Sequence, residues 1–145
     1  MCIIMIGSEG SNHVSIALLG RECPSAGDFW DGNWIRTEVQ VVVGGFRGCV
    51  NILLRSEELK RFRDELRHVQ NSLQGSVGFE PLECWLSLRV IPDWRGHVRF
   101  EGRIRDHLLQ GNTLSFAFEY DQTYLTPILA QLNQALREYP VIGMP

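Results

Sequence analysis

Two strands joined by a tight turn are predicted from residues 33–54, which read NWIRTEVQVVVGGFRGCVNILL. Apolar and polar residues alternate here, as expected when successive side chains point to opposite faces of a sheet. In the first half, Ile35, Val39, Val41 and Val43 share one face, and Trp34, Arg36, Glu38 and Gln40 share the other. Between the halves, Gly44-Gly45 is typical of a two-residue hairpin turn. The stretch therefore predicts an antiparallel hairpin with one covered face and one polar face.

The same alternation recurs on both sides of this hairpin. Further strands are predicted at residues 2–6, 13–19, 83–91, 97–105 and 113–120. Turns rich in glycine, proline and asparagine separate them, at residues 7–12, 92–96 and 111–112. A longer loop is predicted from Gly20 to Gly32. Alternation in so many strands favours an antiparallel sheet.

Two amphipathic helices are predicted as well. Ser56 is a candidate N-cap, Glu57 and Glu58 follow in the first turn, and Gly75 is a candidate end. The apolar face of this helix consists of Leu59, Phe62, Leu66, Val69 and Leu73. A second helix begins with Thr126 as cap and Pro127 at its first position, and ends at Tyr139-Pro140.

These patterns predict an α+β fold, in which an antiparallel sheet of about six to seven strands carries two helices packed on one face. The length of 145 residues fits a single domain, residues 1–145. The second face of the sheet is then polar and open. Its predicted members include Arg36, Glu38, Gln40, Arg47, Asn51, Trp85, Arg89, Arg99, Glu101, Arg103 and Glu119.

Composition excludes several functional classes. The 17 acidic residues outnumber the 14 basic ones, which argues against nucleic acid as the partner. No stretch is long and apolar enough for a membrane span or a signal sequence, so we expect a cytoplasmic protein without a membrane partner. The four cysteines and four histidines match no metal-ligand spacing, and no nucleophile motif is present. The sequence therefore predicts no cofactor, no metal and no enzymatic activity.

The first candidate binding site is the segment from Asp28 to Trp34. Two tryptophans, a phenylalanine, two aspartates and an asparagine lie close together there. The site residues predicted within it are Asp28, Trp30, Asp31, Asn33 and Trp34. Such a segment can be a recognition loop, and it can equally be a plug whose aromatic rings close the edge of the core. Both interpretations remain open at this point.

The second candidate is the open sheet face, with Trp85, Arg99 and Arg103 as predicted contacts. An outward tryptophan among arginines resembles the composition of protein interfaces. Mixed charges on a sheet face also serve cross-strand pairing in solvent, which is the simpler interpretation.

The motifs resemble, in order and spacing, those of the WapI family of bacterial immunity proteins. The stretches that carry the resemblance are DFWDGNWI at 28–35, LRSEEL at 54–59, WLSL at 85–88, GHV at 96–98 before Glu101-Gly102, and DQTYL at 121–125. The resemblance extends over nearly the whole chain. It implies a protein that neutralises a cognate toxin domain delivered by a neighbouring cell, and therefore a protein partner.

Two other functions remain as alternatives. One is a small-ligand or catalytic domain with its site beneath residues 28–34. The other is a self-associating structural domain, for example a homodimer formed through the sheet face around Trp85 and Arg103.

Overall fold

The computed structural model describes residues 1–93 and 95–145. Across these residues the chain forms eight strands, three α-helices and one 3-10 turn. The strands are β1 (Cys2–Gly7), β2 (His13–Arg21), β3 (Trp34–Val43), β4 (Phe46–Arg55), β5 (Val77–Phe79), β6 (Leu86–Pro92), β7 (His97–Arg105) and β8 (Thr113–Asp121). The helices are α1 (Phe29–Gly32), α2 (Ser56–Ser72) and α3 (Leu125–Glu138), and the 3-10 turn is Gln122–Tyr124. The predicted turn at residues 92–96 includes Trp94, which lies outside the described residues.

The α+β class is confirmed, but the prediction of one sheet with six to seven strands is wrong. The strands form two four-stranded antiparallel sheets, in the orders β1-β2-β3-β4 and β5-β6-β7-β8. Each run of four strands is followed by a long helix. The short strand β5 has only three residues and was not predicted. Alternation shows which side of a strand is covered, but it does not show which strands pair, so the division into two sheets was not visible in it.

The hairpin at residues 33–54 is confirmed. β3 and β4 pair antiparallel from Trp34 opposite Arg55 to Val43 opposite Phe46. Gly44 has a φ of 57°, a left-handed conformation that glycine adopts without steric cost.

One hydrophobic cluster joins both sheets with α2 and α3. Phe62 on α2 packs against Phe79 on β5, with ring centroids 4.9 Å apart. α3 covers the edge of the first sheet, where the amide of Met5 on β1 donates to Oε1 of Gln131. The two long helices therefore close the core that the two sheets share.

The helix ends differ from the prediction by a few residues. Ser56 is the first residue of α2 rather than its cap, because the cap position belongs to Arg55, whose amide donates to Glu58. α2 ends before Gly75, with Leu73 in the left-handed conformation at φ 53°. α3 begins at Leu125, one residue before the predicted cap Thr126, because it continues directly from the 3-10 turn.

Gly102 on β7 lies where the packing of the second sheet leaves no room for a side chain. A Cβ at this position would lie 2.5 Å from Cζ of Phe116 and 2.8 Å from the carbonyl oxygen of Ser87. We therefore expect Gly102→Ala to lower the free energy of unfolding by about 1–3 kcal/mol, measured by urea denaturation. Gly78→Ala is the matched control, because no atom lies within 4 Å of a Cβ at Gly78. An equal loss in both variants would contradict this packing.

Candidate functional site

The segment predicted as a strand-entry loop contains a one-turn helix, α1. Asp28 caps this helix, since its Oδ2 accepts hydrogen bonds from the amides of Trp30 (3.2 Å) and Asp31 (3.1 Å). Asp28 and Asp31 are exposed, and Trp30 exposes 62% of its surface. The aspartate at position 28 therefore orders the backbone that presents the tryptophan.

A buried arginine fastens α1 to the body of the protein. Nη1 of Arg55 donates to the carbonyl of Trp30 (2.8 Å), and Nη2 donates to that of Phe29 (2.7 Å). Its Nε contacts the carboxylate of Glu57. The guanidinium also lies over three aromatic rings, 4.7 Å from the centroid of Trp34, 5.2 Å from that of Phe29 and 5.9 Å from that of Trp30. Both its charge and two of its N–H donors are thus used to hold this segment.

Asn33 fastens the other end of α1. It is fully buried, its Nδ2 donates to the carbonyls of Phe29 and Ile142, both at 3.0 Å, and its Oδ1 accepts from the amide of Ile142 (3.0 Å). Arg21 adds a bond from Nη1 to the carbonyl of Gly32 (2.8 Å). Asn33, one of the predicted site residues, is therefore placed to support α1 from beneath.

A groove of about 490 Å³ runs along the exposed side of α1. We name it the Trp30 groove; its lining residues are Trp30, Trp34, Arg55, Glu57, Glu58, Arg61, Glu80 and Leu82. Leu82 exposes 72% of its surface. The groove therefore combines two exposed apolar side chains with a charged border.

Several charged groups of the Trp30 groove lack partners within the described residues. Oε2 of Glu57 is buried and accepts no hydrogen bond there. The side chains of Arg61 and Glu80 are exposed and take part in no hydrogen bond or ion pair of that part of the chain. Arg61 and Glu80 therefore leave one charge of each sign available to a partner at the border of the groove.

Glu58 joins the two apolar sides of the groove. Its Oε1 accepts from the amide of Arg55 and its Oε2 from the amide of Leu82, both at 3.0 Å. Burial raises the pKa of the Glu58 carboxyl above its usual value of 4.5, although these two N–H donors oppose the shift. One carboxylate thus holds the segment around Leu82 to the start of α2.

The raised pKa of Glu58 predicts a pH dependence of stability. The folded protein binds this proton more tightly than the unfolded chain does, so raising the pH above about 4.5 destabilises the folded state. We expect the unfolding free energy of the wild type to fall relative to that of Glu58→Gln as the pH rises from about 4.5, and then to level off. Urea denaturation between pH 4 and 8 measures this, with the exposed Glu65→Gln as a control for net charge. A constant difference across that range would contradict the assignment.

The other predicted site residues lie elsewhere. Arg99 is exposed and pairs with Glu101 (2.8 Å) and Glu119 (4.0 Å), while Arg103 lies on the same face without a partner in the described residues. Both line a groove of about 590 Å³ on the outer face of the second sheet, and Glu80 lines this groove and the Trp30 groove alike. Trp85 is half-buried against the core and lines a third groove, of about 410 Å³.

Sequence reasoning missed Arg55, Glu57, Arg61, Glu80 and Leu82. Glu57 was interpreted only as part of the first turn of a helix, and Arg55 was named only within the LRSEEL motif, although an arginine beside a helix start has the reach to bind a neighbouring loop. Leu82 follows Pro81 in a stretch without alternation, so no pattern marked it.

Among the described residues, no group of three or more His, Cys, Asp or Glu side chains is placed to hold a metal ion. Within the same part of the chain, no helix combines the length and the apolar character needed to cross a membrane.

The model of the Immunity protein WapI-like family matches residues 5–140 of this sequence. The chain belongs to the WapI-like immunity protein family. The resemblance carried by the sequence motifs is thereby confirmed over nearly the whole chain. Membership also favours a non-catalytic, immunity role for this WapI-like chain.

Two solved structures resemble this WapI-like chain at low sequence identity. One is from the MRP1/MRP2 crystal structures of Trypanosoma brucei, with 12% identity over 94% of this chain and 83% of that one, and a TM-score of 0.49. The other is from the CdiA-CT/CdiI toxin and immunity complex of Enterobacter cloacae, with 9% identity over 82% of this chain and 97% of that one, and a TM-score of 0.44. None of the curated protein sequences matches this one.

Proposed function

We propose that this chain is a cytoplasmic immunity protein that binds a cognate toxin domain and neutralises it without catalysing a reaction. The observation that carries the proposal is the match of the WapI-like family over residues 5–140. An acidic, mildly charged chain built around a rigid surface suits a protein whose role is to occupy the surface of another.

The Trp30 groove is the surface that we assign to the toxin. Tryptophan is among the residues most often found at the energetic centre of protein interfaces, and Trp30 is exposed next to an exposed leucine, Leu82. Because Arg55 and Asn33 hold α1 in place, binding costs little ordering of this segment.

The charge at the border of the Trp30 groove indicates which type of side chain the toxin presents there. Glu80 is an exposed carboxylate at this border and has no hydrogen-bond or ion-pair partner in the described residues. A basic side chain of the toxin would pair with Glu80 while its methylene stem packs on Trp30 and Leu82. We therefore expect the bound segment of the toxin to present an arginine or a lysine.

Co-expression with the toxin domain encoded beside this gene tests the proposal. We expect this chain to restore growth of cells that produce the toxin domain, and to co-purify with it as a stable complex. A toxin domain from an unrelated system is the control and should be neither bound nor neutralised. If cells that produce this protein in excess of the toxin domain still die, and the two proteins elute separately, the proposal fails.

The packing beneath α1 supports a binding surface over the alternative of a small-ligand or catalytic site beneath residues 28–34. Asn33 and Ile142 fill that space, and a Cβ added to Gly32 would lie 2.3 Å from Cδ1 of Ile142. Self-association through the sheet face around Trp85 and Arg103 remains the second alternative, and sedimentation of a monomer at working concentration would count against it.

A further inference from the structure

The outer face of the second sheet carries an uncompensated pair of arginines at one end. Residues opposite one another on neighbouring strands share a face, and Arg103 on β7 lies between Ser87 on β6 and Ser115 on β8. Arg105, two residues further along β7, lies opposite Thr113. The two arginines therefore project from the same face, with Ser87, Ser115 and Thr113 opposite them and Trp85 opposite Arg105 on the β6 side.

The side chains of the two arginines and the three hydroxyl-bearing residues have no partner in the part of the chain that the structure describes. The guanidinium groups of Arg103 and Arg105 take part in no hydrogen bond or ion pair there, although Arg105 is half-buried. The hydroxyls of Ser87, Thr113 and Ser115 are equally without partners in those residues. Arg99 on the same strand shows the contrast, because its guanidinium is neutralised by Glu101 and Glu119.

The geometry suits carboxylate recognition. Alternate residues of a strand are about 6.6 Å apart, so two guanidinium forks flank a space in which a carboxylate accepts from either or both. A cavity of about 240 Å³, lined by both arginines, Ser87 and Cys84, adjoins this space. Among the seven residues that line this cavity, Glu80 is the only acidic one, and no ion pair joins it to either arginine in the described residues.

We propose that Arg103 and Arg105, with the hydroxyls of Ser87, Thr113 and Ser115, bind carboxylate side chains of an acidic segment of the partner protein. The identity of the partner rests on the proposed function. The arginine pair would be a second contact with that partner: it binds acidic side chains, whereas the Trp30 groove binds a basic one. Nucleic acid is the less favoured anion, because this face offers two uncompensated arginines beside Glu80 and Glu101, whereas a nucleic-acid footprint needs a larger cluster of basic residues.

The double variant Arg103→Gln/Arg105→Gln tests the site. Its matched control is Arg47→Gln/Lys60→Gln, which removes the same charge from two exposed residues on β4 and α2. With the neighbouring toxin domain as probe, we expect the double variant to bind about tenfold or more weakly than the wild type, and its affinity to depend less on salt. Equal affinity of the double variant and the control would overturn the site. Arg103→Gln alone, at an exposed position, serves if the double variant unfolds early in urea.

A second probe separates this inference from the proposed function. We expect a polyglutamate peptide, titrated at low salt, to shift the side-chain Nε–Hε NMR signals of Arg103 and Arg105 more than that of Arg47. If the wild type fails to bind the toxin domain but shows these shifts, the proposed function falls and the carboxylate site stands. Uniform shifts of all three arginines, or tighter binding of a single-stranded oligonucleotide to the same pair, would overturn the site.

Discussion

Arg55→Met is expected to lower the free energy of unfolding by about 3–5 kcal/mol, the range for removing one member of a buried charged pair. Arg55 is only 6% exposed, and its loss leaves the carbonyls of Phe29 and Trp30 without donors and the Glu57 carboxylate without its counter-ion. The three aromatic rings around the guanidinium lose their cation at the same time. Urea denaturation followed by tryptophan fluorescence measures the effect.

Two further variants show whether the geometry of Arg55 or only its charge is responsible. Arg55→Lys keeps the charge but loses the planar fork that reaches two carbonyls, so it should recover only part of the loss. Arg47→Met, at an exposed position near the start of the same strand, should change stability by no more than about 0.5 kcal/mol. If Arg55→Met is as stable as Arg47→Met, the role assigned to Arg55 is wrong.

Trp30→Ala is expected to weaken binding of the cognate toxin domain by about 30- to 1,000-fold, which corresponds to about 2–4 kcal/mol for an interface hot spot. The indole is 62% exposed, so its removal should change the free energy of unfolding far less than it changes affinity. Isothermal titration calorimetry gives the affinity, and urea denaturation of the same preparation gives the stability.

The control for Trp30→Ala is Leu109→Ala, which removes an even more exposed apolar side chain, 90% exposed, from the loop between β7 and β8. That variant should bind the toxin domain as the wild type does. If Trp30→Ala retains full affinity while the wild type binds tightly, the toxin contacts another surface, and the outer face of the second sheet becomes the first candidate.

The variants Trp30→Ala and Arg55→Met together test whether Arg55 holds Trp30 in position for binding. Trp30→Ala removes the indole that is proposed to contact the toxin and leaves Arg55 in place. Arg55→Met keeps that indole and removes the guanidinium that holds its backbone. Under conditions in which Arg55→Met is still folded, it should therefore bind the toxin domain more weakly than the wild type while retaining Trp30.

The sequence by itself determined the local structure of this protein. Alternation in residues 33–54 predicted the hairpin, and the apolar stripe from Leu59 to Val69 predicted α2, because these periodicities arise within each strand or helix. The tryptophans of residues 28–34 were also recognised as a candidate surface, since exposed aromatic clusters stand out in composition alone. The family was visible in motifs that follow one another along the chain.

Only the tertiary structure decided how the strands divide into sheets and which segments contact one another. Strand pairing depends on contacts between segments distant in sequence, so the division into two four-stranded sheets did not follow from any strand's own pattern. The candidate site has the same origin: Arg55 binds carbonyls 25 and 26 residues before it, and Glu58 binds an amide 24 residues after it. The groove between Trp30 and Leu82 exists because these long-range hydrogen bonds bring two separate segments together, and no local periodicity records such bonds.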